Sequence, residues 1–208
     1  MQDIKFISPP GSGNTFAIFL LNQTLKCQID GVSHKWKDLD KDGNRIFLLR
    51  NPYDCIASAT ERHLDTVNHD SMGDRKISIK NIDDVVNEIN LYTHKYYEFL
   101  KRARNKKILF SSTFEFLSLN PIGFVKKVSN FFDIEIDHSN LNSNLSAEVF
   151  EGIKKSKLAN RSPRDKTESR NKIDELVRNN VDINLFYKEY IQYRDILQST
   201  EIYSTIDL

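Results

Sequence analysis

Two glycines, an arginine and a serine carry the clearest chemical signal in this chain. Gly11 and Gly13 stand in Ser8 to Phe16 (SPPGSGNTF), between the apolar runs Ile4 to Ile7 and Phe16 to Leu21. Read as strand, tight turn and helix, this is a phosphate cradle. Glycine lets the backbone turn sharply and come close to an anion, and the N–H groups that open the helix point at it with the helix dipole behind them. Arg50 and Ser58 stand in RNPYDCIAS, after the apolar run Ile46 to Leu49, with the turn-forming Asn51 and Pro52 between them. A guanidinium forks onto phosphate oxygens, and a hydroxyl adds a further donor. Cradle and pair together describe a site for a nucleotide carrying phosphate at both ends.

The elements that must hold these groups alternate between strand and helix. That order implies an α/β fold, a three-layer α/β/α arrangement with a mostly parallel central sheet. Strands are expected at Ile4 to Ser8, Ile29 to His34, Ile46 to Leu49 and Lys107 to Ser111. Helices are expected over Asn14 to about Lys26, Tyr53 to about His63 and Ile82 to about Arg104, the last with apolar residues at a clear 3.6-residue period. Asn120 and Pro121 open another helix as cap and first helical residue, and Ile122, Val125, Val128, Phe131 and Phe132 form its expected buried face. Asp65 to Lys80 is polar and aperiodic, which reads as a surface loop serving as a lid or acceptor loop. Beyond Ile136 the pattern weakens into a helical, basic part near 145–208, closing with a helix from about Ile183 to Leu197.

A chain of 208 residues fits one domain, 1–208, with a core of its own. With 30 Lys and Arg against 29 Asp and Glu, no overall field draws it to nucleic acid or to an anionic membrane, so an anion site must be local. Cys27 and Cys55 have neither metal-type spacing nor the look of a disulfide framework, and both are expected to pack as small apolar side chains. No apolar stretch approaches the roughly 20 residues that span a bilayer. A cytoplasmic protein without signal peptide or anchor is the expectation.

The two motifs resemble those of the sulfotransferases that use 3′-phosphoadenosine-5′-phosphosulfate (PAPS). Pro10, Gly11, Ser12, Gly13, Asn14, Thr15 and Phe16 line up with the 5′-phosphosulfate loop, usually Pro-Lys/Arg-Ser-Gly-Thr/Asn-Thr-Trp. Arg50, Pro52, Asp54 and Ser58 match the 3′-phosphate motif, Arg-x-Pro-x-Asp-x-x-x-Ser. The resemblance implies a P-loop-like sulfotransferase architecture and transfer of a sulfuryl group to a hydroxyl or amine, leaving 3′-phosphoadenosine-5′-phosphate (PAP), with no metal. It assigns the 5′ end to the Gly11–Thr15 backbone and the hydroxyls of Ser12 and Thr15, and the 3′-phosphate to Arg50 and Ser58. Phe16 stands where the family has its adenine-stacking Trp, and Phe114, in a partial match to Tyr-Glu-Asp-Leu, is a second stacking candidate. Arg161 and Arg164 are candidates for a basic C-terminal loop over the 3′-phosphate, with a solvated basic face as the alternative. His34, in VSHKW where cytosolic members carry Lys-Thr-His, is the candidate base, since imidazole titrates near working pH.

One departure stands out: Gly11 occupies the place of the usual Lys or Arg, so the cation for the leaving phosphate is missing there. Two rivals stay open beside the enzyme. Ser8 to Thr15 nearly spells the G-x-x-x-x-G-K-[ST] of P-loop kinases and NTPases, but Ser8 replaces the first Gly and Asn14 the Lys. A non-catalytic nucleotide-binding scaffold that lost the cation at position 11 is the other. The acceptor is not identified by any residue. The polarity of 65–80 favours a hydrophilic acceptor such as a glycan, and a small-molecule or glycan acceptor is the expectation.

Overall fold

The computed structural model describes residues 4–69, 82–104, 110–156 and 168–203. Four strands form one sheet: β1 (Ile4–Ile7), β2 (Ile29–Ser33), β3 (Asn44–Leu49) and β4 (Phe110–Thr113). Their order is β2-β1-β3-β4 and every pair is parallel. A parallel sheet must be covered on both sides, and its strands accordingly read as near-continuous apolar runs. Alternation assigns the faces. Phe6, Ile46 and Leu48 pack into one cluster with helices α1 (Asn14–Thr24), α5 (Pro121–Phe132) and α6 (Leu145–Lys155). Ile7, Phe47 and Leu49 pack into the opposite cluster with α2 (Pro52–His69), α3 (Ile82–Ala103), α7 (Glu168–Arg178) and α8 (Val181–Tyr203). The three-layer expectation holds. Each fully buried Phe or Leu in these clusters contributes roughly 1.5–3 kcal/mol.

Local chemistry explains where the helices begin. Asn51 caps α2, its carboxamide oxygen accepting the N–H of Tyr53 at 3.0 Å, and Pro52 takes the first helical position. Thr113 ends β4 and caps α4 (Phe114–Leu119) by accepting the N–H of Phe116 at 3.1 Å. Asn120 does the same for α5, accepting from Gly123 at 2.8 Å. Asn120→Ala should therefore lower stability by about 1 kcal/mol, seen as a fall in Tm by circular dichroism. An unchanged Tm would show that α5 starts without its cap.

Several expectations need correction. Residues 65–69 continue α2 instead of opening a loop, and the rest of the 65–80 segment lies outside the described residues. Phe131 is 49 % exposed, with Phe124 taking its place in the core, because the buried stripe of α5 runs through 124, 125, 128 and 132. Cys27 is only half-buried, whereas Cys55 is buried as expected. Helices α6 and α7 emerge from the stretch whose pattern is weak, holding on through Leu145, Val149 and Ile153, and through Ile173 and Val177. Strand β4 begins at Phe110, and 105–109 lie outside the described residues.

Candidate functional site

The chain leaves β1 toward β2 on one side and then crosses to β3 on the other, so the order of the sheet reverses between β1 and β3. Ligands of open parallel sheets bind at such a switch point, beyond the carboxyl ends of the strands. β1 runs into the glycine loop there, and β3 ends directly before Arg50.

Ser8 joins the three strand ends. Its hydroxyl accepts the Leu48 N–H of β3 at 2.8 Å, its N–H donates to the Ser33 carbonyl of β2 at 3.3 Å, and its carbonyl lies 2.8 Å from Nδ1 of His34. A ring nitrogen facing a carbonyl carries the proton, so this contact puts the lone pair on Nε2. His34 is exposed, immediately after β2, and is not a packed core histidine.

The loop itself is built on two left-handed glycines, Gly11 and Gly13, both at φ 88°. A Cβ on Gly11 would lie 2.2 Å from the Cys55 carbonyl, and one on Gly13 would lie 2.3 Å from the Phe114 ring. Gly13 precedes α1, whose first residue, Asn14, is buried with an amide oxygen that has no partner among the described residues. The first turn of α2 braces the loop: the Cys55 thiol donates to the Pro10 carbonyl at 3.1 Å. Burial pushes that thiol up to about 11, so it stays protonated and serves as a donor. Cys55, Ser58 and Ala59 share one face of α2 at i, i+3 and i+4, and the backbone N of Ala59 would lie 3.3 Å from a Cβ on Gly11. Ser58, 8 % exposed, thus belongs to the face that bears on the loop.

Arg50 is held at both ends. Its Nη1 donates to the Gly11 carbonyl at 2.7 Å, its guanidinium carbon lies 4.8 Å from the Phe114 ring centroid, and its own carbonyl accepts the Tyr96 hydroxyl at 2.5 Å. Loop and arginine, 39 residues apart in sequence, are one unit in space.

Two side chains differ from their expected roles. Ser12 is 0 % exposed, with its hydroxyl donating to the Pro9 carbonyl at 2.9 Å, so it folds the loop and leaves only its backbone for a ligand. Phe16 is 7 % exposed in the core, its ring centroid 4.7 Å from that of Phe150, which leaves little surface for a base. Thr15 is half-buried at the start of α1. Arg161 and Arg164 lie outside the described residues. In the same basic stretch, Arg170 is committed to Glu61 of α2 at 2.8 Å and to Asp174 at 2.9 Å, and Lys154 to Glu151 at 2.7 Å. Ser8 and Tyr96 were not singled out from sequence. A serine closing an apolar strand was the available signal for the first, while Tyr96 reads only as one more apolar position of α3.

A parallel α/β sheet that brings a glycine loop and an arginine together at its switch point has the geometry to hold an anion. The comparisons narrow this. A sequence family described as the sulfotransferase domain matches residues 33–203, more than half of the chain, and the chain belongs to that family. It is accordingly an enzyme of the transferase class. A solved structure of mouse sulfotransferase SULT7A1 complexed with PAP is similar in fold, with TM-score 0.52 and 15 % identity over 92 % of this chain and 89 % of that one. Comparison with curated protein sequences finds no match. Among the described residues no helix is long and apolar enough to cross a membrane.

Proposed function

We propose that this sulfotransferase takes its sulfuryl group from PAPS and passes it to a hydroxyl or amine of a hydrophilic acceptor, such as a glycan. The hydrogen bond from Arg50 to the Gly11 carbonyl carries the reading, because it joins the two phosphate motifs into one site. The backbone N–H groups from Gly11 to Thr15 and the Thr15 hydroxyl hold the 5′-phosphosulfate, with the dipole of α1 behind them. Arg50 and Ser58 hold the 3′-phosphate. His34 accepts the acceptor's proton at Nε2 while the acceptor oxygen or nitrogen bonds to sulfur. The bond from sulfur to the 5′-phosphate oxygen breaks, and PAP leaves with that electron pair. Ser8 fixes the imidazole at the end of β1, beside the loop. Segment 65–80 is the candidate source of the acceptor's surroundings, and Arg161 and Arg164 are the candidates for contacting the 3′-phosphate. The protein works in the cytoplasm, as one domain over 1–208.

PAP should bind at least about tenfold more tightly than AMP or ATP, since one charge-assisted hydrogen bond to the 3′-phosphate is worth about 1.5–3 kcal/mol. Calorimetry with the three nucleotides decides it. Equal affinity for ATP, dependent on Mg²⁺, would support a P-loop NTPase instead. PAP binding without transfer from labelled PAPS to any of a panel of hydroxyl and amine acceptors would support a scaffold.

A further inference from the structure

The ring of Phe114 touches both halves of the nucleotide site. At the junction of β4 and α4, its edge lies against Gly13, where an added Cβ would meet two ring carbons at 2.3 Å. Its π system takes the Arg50 guanidinium, with the carbon 4.8 Å from the ring centroid. The rest of the side chain packs against the cluster of α1 and α5. The arginine lies over this ring, the glycine meets its Cδ2–Cε2 edge and the half-buried side chain packs on the core, so the surface left for a base is reduced. The guanidinium, in turn, is confined between the ring and the Gly11 carbonyl at 2.7 Å, while Tyr96 fixes the backbone from which it extends.

We infer that Phe114 is a positioning residue that acts on the nucleotide through Arg50, holding its guanidinium against the glycine loop, and does not stack on the base. The inference rests on the reading of this site as a PAPS site. A flat, weakly hydrated guanidinium is well suited to such a contact, because it can lie on an aromatic face and still direct edge N–H groups at phosphate. Without the ring, the long side chain regains rotamers that must be frozen again on binding.

A double-mutant cycle on PAP binding tests this. Phe114→Leu keeps an apolar side chain against Gly13 and should weaken PAP by about 2–30-fold, the range of a cation–π contact from exposed to desolvated. In an Arg50→Ala background the same change should have little further effect, since nothing remains to be positioned. Phe114→Tyr, which restores the ring, should bind as the wild type does. Additive losses, with normal binding by the wild type, would overturn the inference alone and return Phe114 to the base. A wild type that does not bind PAP would overturn the PAPS reading and the inference with it. If Phe114→Leu does not fold, Phe114→Tyr and Phe114→Met carry the cycle, and an additive Met variant overturns the inference in the same way.

Discussion

Alanine in place of His34 should lower turnover by about 10²–10⁴-fold while leaving PAP affinity within about twofold, because a positioned base acts on the acceptor's proton and not on the nucleotide. The geometry favours this split. His34 is exposed and its imidazole is hydrogen-bonded to the Ser8 carbonyl at the surface, so its loss removes little packing. Stopped assays with labelled PAPS give the rate, and calorimetry gives the affinity. A variant with full turnover would move the base elsewhere. A variant that no longer folds would make His34 a structural residue of the strand end. Before an acceptor is found, slow hydrolysis of PAPS to PAP is a usable surrogate for the transfer rate.

Gly11→Ala should remove nucleotide binding and destabilise the protein by more than about 2 kcal/mol. The left-handed backbone alone costs an L-residue about 1–2 kcal/mol. The new methyl would in addition lie 2.2 Å from a backbone carbonyl of α2, which has no rotamer by which to retreat. Gly31 is a built-in control: its φ is 109°, yet nothing lies within 4 Å of a Cβ placed there. Urea titrations of both alanine variants separate the strain of the backbone from the collision with α2. If the two variants unfold at the same urea concentration, the loop yields to the methyl and the close approach has no energetic consequence.

Features that depend on neighbouring residues could be read from the sequence. The β1 and β3 runs, the Asn120-Pro121 helix start and the period of α3 all express local preferences, and the structure contains them. Direction in space was harder. Ser12 and Thr15 both look like phosphate ligands in the loop, and only the fold turns the Ser12 hydroxyl inward to Pro9. Phe16 occupies the family's stacking position, but Phe150, far along the chain in α6, packs against it. Helix α7 hides in a basic stretch because Arg170, polar by type, is drawn inward by Glu61 and Asp174. Side-chain partners across the sheet carry no signature in a single sequence.

The close seating of α2 on the glycine loop bears on how the missing cation could be regained. A lysine codon at position 11 would not restore the family's usual loop, because the first turn of α2 fills the space its Cβ would need. The helix would first have to draw back, giving up the thiol contact to Pro10. A side chain at position 11 therefore requires a matching shift of the first turns of α2, which couples the two motifs.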